Sequence, residues 1–330
     1  MKNVLIIYHG THCNDGFTAA WVAATCLKAE GSYTEPDLYP MGYGEQAAED
    51  LLDFMRAQAL GGTTYTNIYI LDFSLQLDVL AELVPLVPGA QIVILDHHKS
   101  AFNMYFPDDQ RSPRENKLTS LHSGQVFIRL INHKSGAGIA WDYFFPHEAV
   151  PPLVRYVQDR DLWLFKEEGT KQVHKYLASL PKTLETWGDV HAKLCHATGL
   201  EEIVSKGQAM LDIYTAEVEK LAAYAEPCSI KGERGLMAQC SGEYASDVGN
   251  ILATTCGTFG MTYYETEDEE NLKVSLRSEG DYDVEVIAKR YGGGGHRNAA
   301  GFIISLEDMM SKFTYIKDLD LANTGEQYEV

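Results

Sequence analysis

The sequence predicts an α/β protein: an amino-terminal domain on a parallel sheet with helices on both faces, a helical connector, and a smaller α+β carboxyl-terminal domain. Three observations carry this expectation. Short apolar runs alternate with amphipathic stretches through the first hundred residues, a long helical stretch runs up to Pro227, and short strand-like segments follow it. Strands alternating with helices imply βαβ units and a sheet buried on both faces.

Taken in order, NVLIIY (3–8) reads as a buried strand. Asp15–Lys28, with Phe17, Ala20, Trp21, Ala24 and Leu27 near helical spacing, reads as a helix. EQAAEDLLDFMRAQA (45–59) is a second helix, NIYILDF (67–73) a strand, LDVLAELVPLV (77–87) a helix and AQIVILDHH (90–98) another strand. Residues 136–165 read as helical, interrupted by Pro146 and the Pro151-Pro152 pair, and end in the acidic cluster of RYVQDRDLWLF. The helical stretch at roughly 201–226 is the expected connector. Beyond it come GLMAQCS, GMTYYET and NLKVSLRS as strands, a helix around 284–291, and GGGGHRNAAGF leading into the strand FIISL. The tail after about 316 is polar and acidic and is expected to add little to a core.

A chain of 330 residues exceeds one core of typical size, so two domains are expected, with boundaries at 1–195, 196–227 and 228–330. Lys and Arg number 27 against 47 Asp and Glu, a net charge of −20 that argues against tight binding of long nucleic acid. A small anionic ligand remains compatible where cations gather locally. The start MKNVLIIYHG lacks the long apolar region and small-residue cleavage site of a signal peptide. No window reaches the roughly 18 apolar residues of a membrane span, so no membrane partner is expected. Six cysteines, at 13, 26, 195, 228, 240 and 256, form no CxxC pair and suit a reducing cytoplasm.

In open parallel sheets, ligands bind beyond the carboxyl ends of the strands. Each of the three strands ends in ionisable residues: His9, Cys13 and Asp15 after the first, Asp72 on the second, Asp96-His97-His98 on the third. Imidazole with several carboxylates is a donor set for divalent metals such as Mn²⁺, and a shared carboxylate permits two ions about 3.5–4 Å apart. Taken singly, each residue has a structural reading. Asp15 can cap a helix, Asp72 can cap the next one, and His97 or His98 can be a polar strand end. Three such ends on one rim favour a site.

Those motifs, with GGGGHRNAAG near the end, together resemble the DHH phosphoesterase superfamily with its carboxyl-terminal DHHA1 domain, over roughly residues 3–310. The resemblance implies a metal-binding catalytic domain, a substrate-binding domain and a site in the cleft between them. It implies two Mn²⁺ ions, other divalent metals being possible. One would be held by His9, Cys13 and Asp72, the other by Asp15, Asp72, His97 and a later aspartate, with Asp72 bridging. The later aspartate is expected to be Asp159, with Asp161 as its rival. Asp72 and His98 would be catalytic, and His98 would orient substrate or help the leaving oxygen take a proton. Cys13 departs from the family, which usually has aspartate there. It ligates the first metal, or lines the pocket while His12 or a water fills the place, or leaves that site weak. A softer thiolate would favour Zn²⁺ or Fe²⁺ over Mn²⁺.

The glycine run Gly292–Gly295 can approach an anion and present backbone N–H groups as a nest, although such runs are also flexible loops. By resemblance Arg277, Gly294, Gly295 and His296, with Arg297 as a further candidate, would hold the phosphate or terminal nucleotide of the substrate; Arg297 is equally readable as a solvated arginine. The acidic balance, with no basic run, favours a short substrate over a processive nuclease. The expected activity is therefore a metal-dependent phosphodiesterase of the nano-RNase type, cleaving short oligonucleotides or linear dinucleotides to mononucleotides with a two-metal-activated water. The alternatives are a cyclic mono- or dinucleotide phosphodiesterase and a non-catalytic nucleotide-binding protein of the same fold; inorganic pyrophosphatase ranks below them. A homodimer is a possible assembly.

Overall fold

A computed structural model describes residues 3–10, 12–31, 35–107, 118–121, 124–266 and 270–315, so the polar tail lies outside the described residues. The chain divides into two compact units, Met1–Leu211 and Asp212–Val330.

The first unit contains β1 (Val4–His9), α1 (Asn14–Glu30), β2 (Asp37–Met41), α2 (Glu45–Leu60), β3 (Asn67–Leu71), α3 (Leu77–Leu86), β4 (Gln91–Asp96), α4 (Lys99–Tyr105), β5 (Thr119–Leu121), β6 (Val126–Leu130), α5 (Gly136–Phe144), α6 (Pro152–Asp161), α7 (Thr170–Ala178) and α8 (Leu184–Leu194). Then α9 (Ala197–Ala223) crosses the division between the units. The sheet order is β2-β1-β3-β4-β6-β5, parallel except for β5 at its edge. The strands are apolar throughout because both faces are covered. Leu5, Ile7, Ile68, Ile70, Ile92 and Ile94 pack against Leu51, Met55, Leu80 and Leu83 of α2 and α3. Val4, Ile6, Tyr69, Leu71, Val93 and Leu95 face Phe17 and Trp21 of α1 and Ile139 of α5. This alternation follows from the period of two along a strand. Strand β2 escapes the sequence pattern because it lies on the sheet edge, where only Met41 is buried and Pro40 opposite Tyr8 is tolerated.

The second unit contains β7 (Glu226–Ile230), β8 (Glu233–Gln239), α10 (Ala245–Cys256), β9 (Phe259–Glu265), β10 (Asn271–Ser278), α11 (Val284–Lys289), β11 (Gly294–His296), β12 (Ala299–Ser305), α12 (Leu306–Lys312) and β13 (Phe313–Tyr315). Its sheet runs β11-β12-β10-β9-β8-β7-β13 and mixes one parallel pair, β8 with β9, with antiparallel pairs. One face packs Phe259, Val274, Leu276 and Phe302 on Val284 and Ile287 of α11. Among the described residues no helix is long and apolar enough to cross a membrane.

Candidate metal centre

Parallel register brings the strand ends together. Tyr8 pairs with Leu71 and Leu71 with Leu95, so His9, Asp72 and Asp96 each occupy the next position at the same rim. Asp72 sits just past β3 with φ 56°, a left-handed backbone conformation uncommon outside glycine, while its amide still donates to the Leu95 carbonyl at 2.9 Å. Room for it depends on Gly136, where an added Cβ would stand 2.3 Å from the Asp72 Cβ. The Asp72 side chain is 2% exposed.

Around Asp72 the donors converge. His9 Nδ1 lies 3.4 Å from Asp72 Oδ2, and the Cys13 thiol donates to the same oxygen at 3.5 Å. His97 Nε2 lies 3.2 Å from Asp72 Oδ1 and 3.7 Å from Asp161 Oδ2. Three sets of side chains have ligating atoms within 4.8 Å of one another: His9, Cys13 and Asp72; Asp15, His97 and Asp161; and Asp72, Asp96, His97 and His98. The structure thus brings together every residue expected in the metal site except Asp159.

Asp159 is a correction. It is buried and its oxygens accept from the Lys166 and Glu167 amides, at 2.8 and 3.0 Å, and from the Thr170 hydroxyl. Those bonds outweigh its burial and hold its carboxyl below the usual range. Asp161, at the end of α6, is the carboxylate beside His97.

The capping reading of the rim also changes. The cap of α1 is Cys13, whose sulfur accepts from the Gly16 amide at 3.4 Å. Asp15 instead accepts from the Gly136 and Ala137 amides, at 2.6 and 3.0 Å, at the start of α5, where the helix N-terminus favours an anion. His12 is exposed and stands outside the three sets.

Asp96 is the member that sequence reasoning did not single out. Its Oδ1 accepts from the His97 and His98 amides and lies 2.7 Å from His98 Nδ1, and its Oδ2 accepts from Ser74 at 2.6 Å. Asp96 is therefore spent on positioning His98 and sets which ring nitrogen faces outward. The position of Asp96, one residue before two histidines at a strand end, is the signal that could have found it. Tyr43 also went unread; its ring lies edge-on to His9 with centroids 4.9 Å apart, and 6.3 Å from the His98 ring.

The electrostatics of this cluster suit a cation. Burial, then the Asp72 and Asp161 carboxylates, push Asp15 well above the usual carboxylate range. Burial, with Asp72 and Asp15, likewise pushes the Cys13 thiol up. Burial opposes the charge on Asp72, but the His9 and His97 imidazoles beside it hold its carboxyl well below the usual range. Burial draws His97 down, yet Asp72, Asp161 and Asp15 carry it up to about 10. Protons thus sit where a divalent ion would neutralise the same carboxylates. Asp72 Oδ1 is buried without an aligned hydrogen bond, leaving a lone pair for a ligand. Imidazole and carboxylate donors around that orphaned oxygen fit a divalent metal. A thiolate from Cys13 would require loss of its proton as the ion arrives.

In the second unit, Arg277 lies on β10 opposite Ala299, with its guanidinium donating to Ser246 Oγ and to the Leu276 carbonyl, each at 2.8 Å. His296 ends β11 and is exposed. Arg297 pairs with the exposed Asp281 at 2.9 Å, as a solvated arginine would. The glycine run is no open nest. The Gly292 and Gly293 amides donate to the Lys289 and Ala288 carbonyls at the end of α11, and Gly294 and Gly295 form a strand with β12. Close packing accounts for two of these glycines: a Cβ on Gly293 would meet the Gly301 carbonyl at 2.1 Å, and one on Gly295 the Ala299 carbonyl at 2.4 Å.

Residues 232–318 match the DHHA1 domain family. Over 315 residues the chain is 30% identical to uncharacterized protein R106 of Acanthamoeba polyphaga mimivirus, covering 91% of this chain and 67% of that protein. Among solved structures it is similar to RecJ from Thermus thermophilus in complex with Mn²⁺, with 14% identity, 94% of this chain and 50% of that chain covered, and a TM-score of 0.42. It is also similar to the pGpG-specific phosphodiesterase PggH from Vibrio cholerae, with 12% identity, 94% and 96% of the two chains covered, and a TM-score of 0.42.

Proposed function

From the match of residues 232–318 to the DHHA1 domain family and the resemblance of the rim motifs to the DHH phosphoesterases, we propose that the chain is a metal-dependent phosphodiesterase that cleaves short oligonucleotides or linear dinucleotides to mononucleotides. The observation that carries this reading is Asp72: a buried carboxylate in a left-handed backbone conformation, with one orphaned oxygen, approached by His9 on one side and His97 on the other.

His9, Cys13 and Asp72 would hold one ion, and Asp15, Asp72, His97 and Asp161 a second; the oxygen and imidazole donors of the second set suit Mn²⁺, whereas a Cys13 thiolate would turn the first toward Zn²⁺ or Fe²⁺. Such ions supply Lewis acidity, neutralising phosphate charge and lowering the pKa of a water. The remaining chemistry belongs to the chain. Asp96 holds His98 by Nδ1 and, although burial pulls His98 down, raises its proton affinity above that of a free imidazole. His98 Nε2 is then the group to hand a proton to the leaving oxygen. Tyr43, itself exposed, packs edge-on against His9 and lies near His98 at the mouth of the cluster. In the DHHA1 domain, His296 and Arg277 are the groups to hold a substrate phosphate through charge-assisted bonds. A net charge of −20 supports a substrate of few phosphates.

The purified protein with Mn²⁺ is expected to release mononucleotides from the dinucleotide pApA. Asp72→Asn and His98→Ala are each expected to slow this by roughly 10²–10³-fold. Wild-type rates in both variants would remove the reading, and faster turnover of cyclic dinucleotides than of pApA would move it to the cyclic substrates.

A further inference from the structure

Directly after Asp161, α6 gives way to LWLFK, residues 162–166. Two aromatic residues here, Trp163 and Phe165, have φ of 57° and 51°. Bulky side chains rarely adopt this conformation, and it persists only where surrounding bonds impose it. The bonds are those of Asp159. Its backbone carbonyl accepts from Leu164 at 2.9 Å, while its carboxylate takes the Lys166 and Glu167 amides and the Thr170 hydroxyl. Core burial does not explain the arrangement, because Trp163 is left 42% exposed and Leu164 45%.

The rings are also dressed with cations. The Arg160 guanidinium stacks 4.1 Å from the Trp163 centroid and lies 5.6 Å from that of Phe165, and Lys171 Nζ lies 5.1 Å from the Phe165 centroid. Phe165 meets Trp163 edge-on with centroids 5.0 Å apart, which braces the indole. Between residues 160 and 182 there are five Lys and Arg against three Asp and Glu, a local reversal in an acidic chain. Aromatic faces interleaved with cations are the surface on which nucleobases stack while their phosphates are neutralised. The position is fitting as well. Asp161 stands in the metal cluster, 3.7 Å from His97, and Trp163 is two residues on, so their Cα atoms are at most about 7.6 Å apart.

We infer that residues 160–166, with Trp163 at their centre, form a stacking platform for the base of the nucleotide whose phosphate occupies the metal cluster. This inference rests on the phosphodiesterase reading for its substrate but not for its binding test. Asp159 is then a positioning residue of the platform, which gives its burial and its five bonds from residues 164–170 a functional end.

Tryptophan fluorescence reads the platform directly, because Trp21, Trp141 and Trp187 are buried. With Mg²⁺ present, AMP is expected to quench the emission of the full chain. Ribose 5-phosphate, which has the phosphate but no base, is expected to bind more weakly and to quench little. By titration calorimetry, which needs no reporter at position 163, Trp163→Ala is expected to weaken AMP binding by about 5- to 150-fold, the range of a single base-stacking contact. It leaves ribose 5-phosphate affinity unchanged, which also shows that the variant is folded. Trp163→Phe keeps a ring and is expected to retain most AMP affinity. Equal wild-type affinity for AMP and ribose 5-phosphate, or an equal loss for both in Trp163→Ala, would overturn the inference. Base-dependent AMP binding without hydrolysis of pApA would uphold the platform and remove the phosphodiesterase reading, so the two fail separately.

Discussion

Gly136 is the position at which the candidate site is most sensitive to one methyl group. In Gly136→Ala the new Cβ would lie 2.3 Å from the Asp72 Cβ and 2.7 Å from both its Cγ and its Oδ1. Carbon atoms approach comfortably to about 3.5 Å, so Asp72 or the start of α5 must move by roughly 1.2 Å. Neither has an easy direction. Asp72 is buried and already in a left-handed conformation, and the Gly136 amide is bonded to Asp15 at 2.6 Å. Overpacking of this kind costs about 1–3 kcal/mol, which in a unit of this size lowers Tm by roughly 2–12 °C. The effect on function is larger. Ligand atoms must be right to about 0.2 Å, and a 1 Å error near the chemistry costs about 10²-fold. The assays are Mn²⁺ binding by calorimetry and pApA hydrolysis, measured below the lowered Tm. Gly61→Ala serves as control, since its backbone is helical with φ −73° and the nearest atom to a Cβ is 3.3 Å away. Wild-type Mn²⁺ affinity and turnover in Gly136→Ala would refute the claim that close approach of α5 positions Asp72.

The two neighbouring aspartates are expected to separate cleanly. Asp161→Asn loses Mn²⁺ affinity by at least about 10-fold with little change in Tm, while Asp159→Asn leaves buried donors poorly paired and loses about 1–3 kcal/mol of stability, checked by calorimetry and thermal unfolding. A second expectation concerns pH and a histidine that is not itself in the metal cluster. Burial, with Arg160, Lys175 and Lys182 nearby, lowers His174 to about 3, and its Nδ1 is 3.4 Å from the Asn14 side-chain nitrogen. Its unfolded value is near 6.5, so the unfolded chain binds the extra proton between about 6.5 and 3. The stabilising effect of neutral His174 is therefore complete above about pH 6.5 and is lost as the pH falls. His174→Gln is expected to gain on the wild type by up to about 1.4 kcal/mol per pH unit below 6.5, in denaturant unfolding. Parallel stability curves for the two proteins would contradict the assignment.

The fold class and the rim were legible because they follow from local patterns. Apolar runs bounded by helices of 3.6-residue period specify a parallel sheet, and a parallel sheet places the residues after each strand on one edge. His9, Asp15, Asp72 and His97 needed no more than that. What the one-dimensional pattern left open was decided by contacts between elements distant in sequence. Asp159 and Asp161 are two residues apart on one helix, so they point about 200° apart, and only the packing of α6 determines that Asp161 faces His97. Cys13 looked like a substituted ligand, and its sulfur is also the cap of α1, with Asp15 displaced to the amides of α5 more than a hundred residues away. The glycine run looked like an anion nest, but its amides are spent on α11 and its missing side chains on packing against β12. Periodicity specifies which face of an element is apolar, whereas the partner of a polar atom is set by the three-dimensional meeting of chain segments. That meeting gave Asp96, Asp159 and Gly136 their roles.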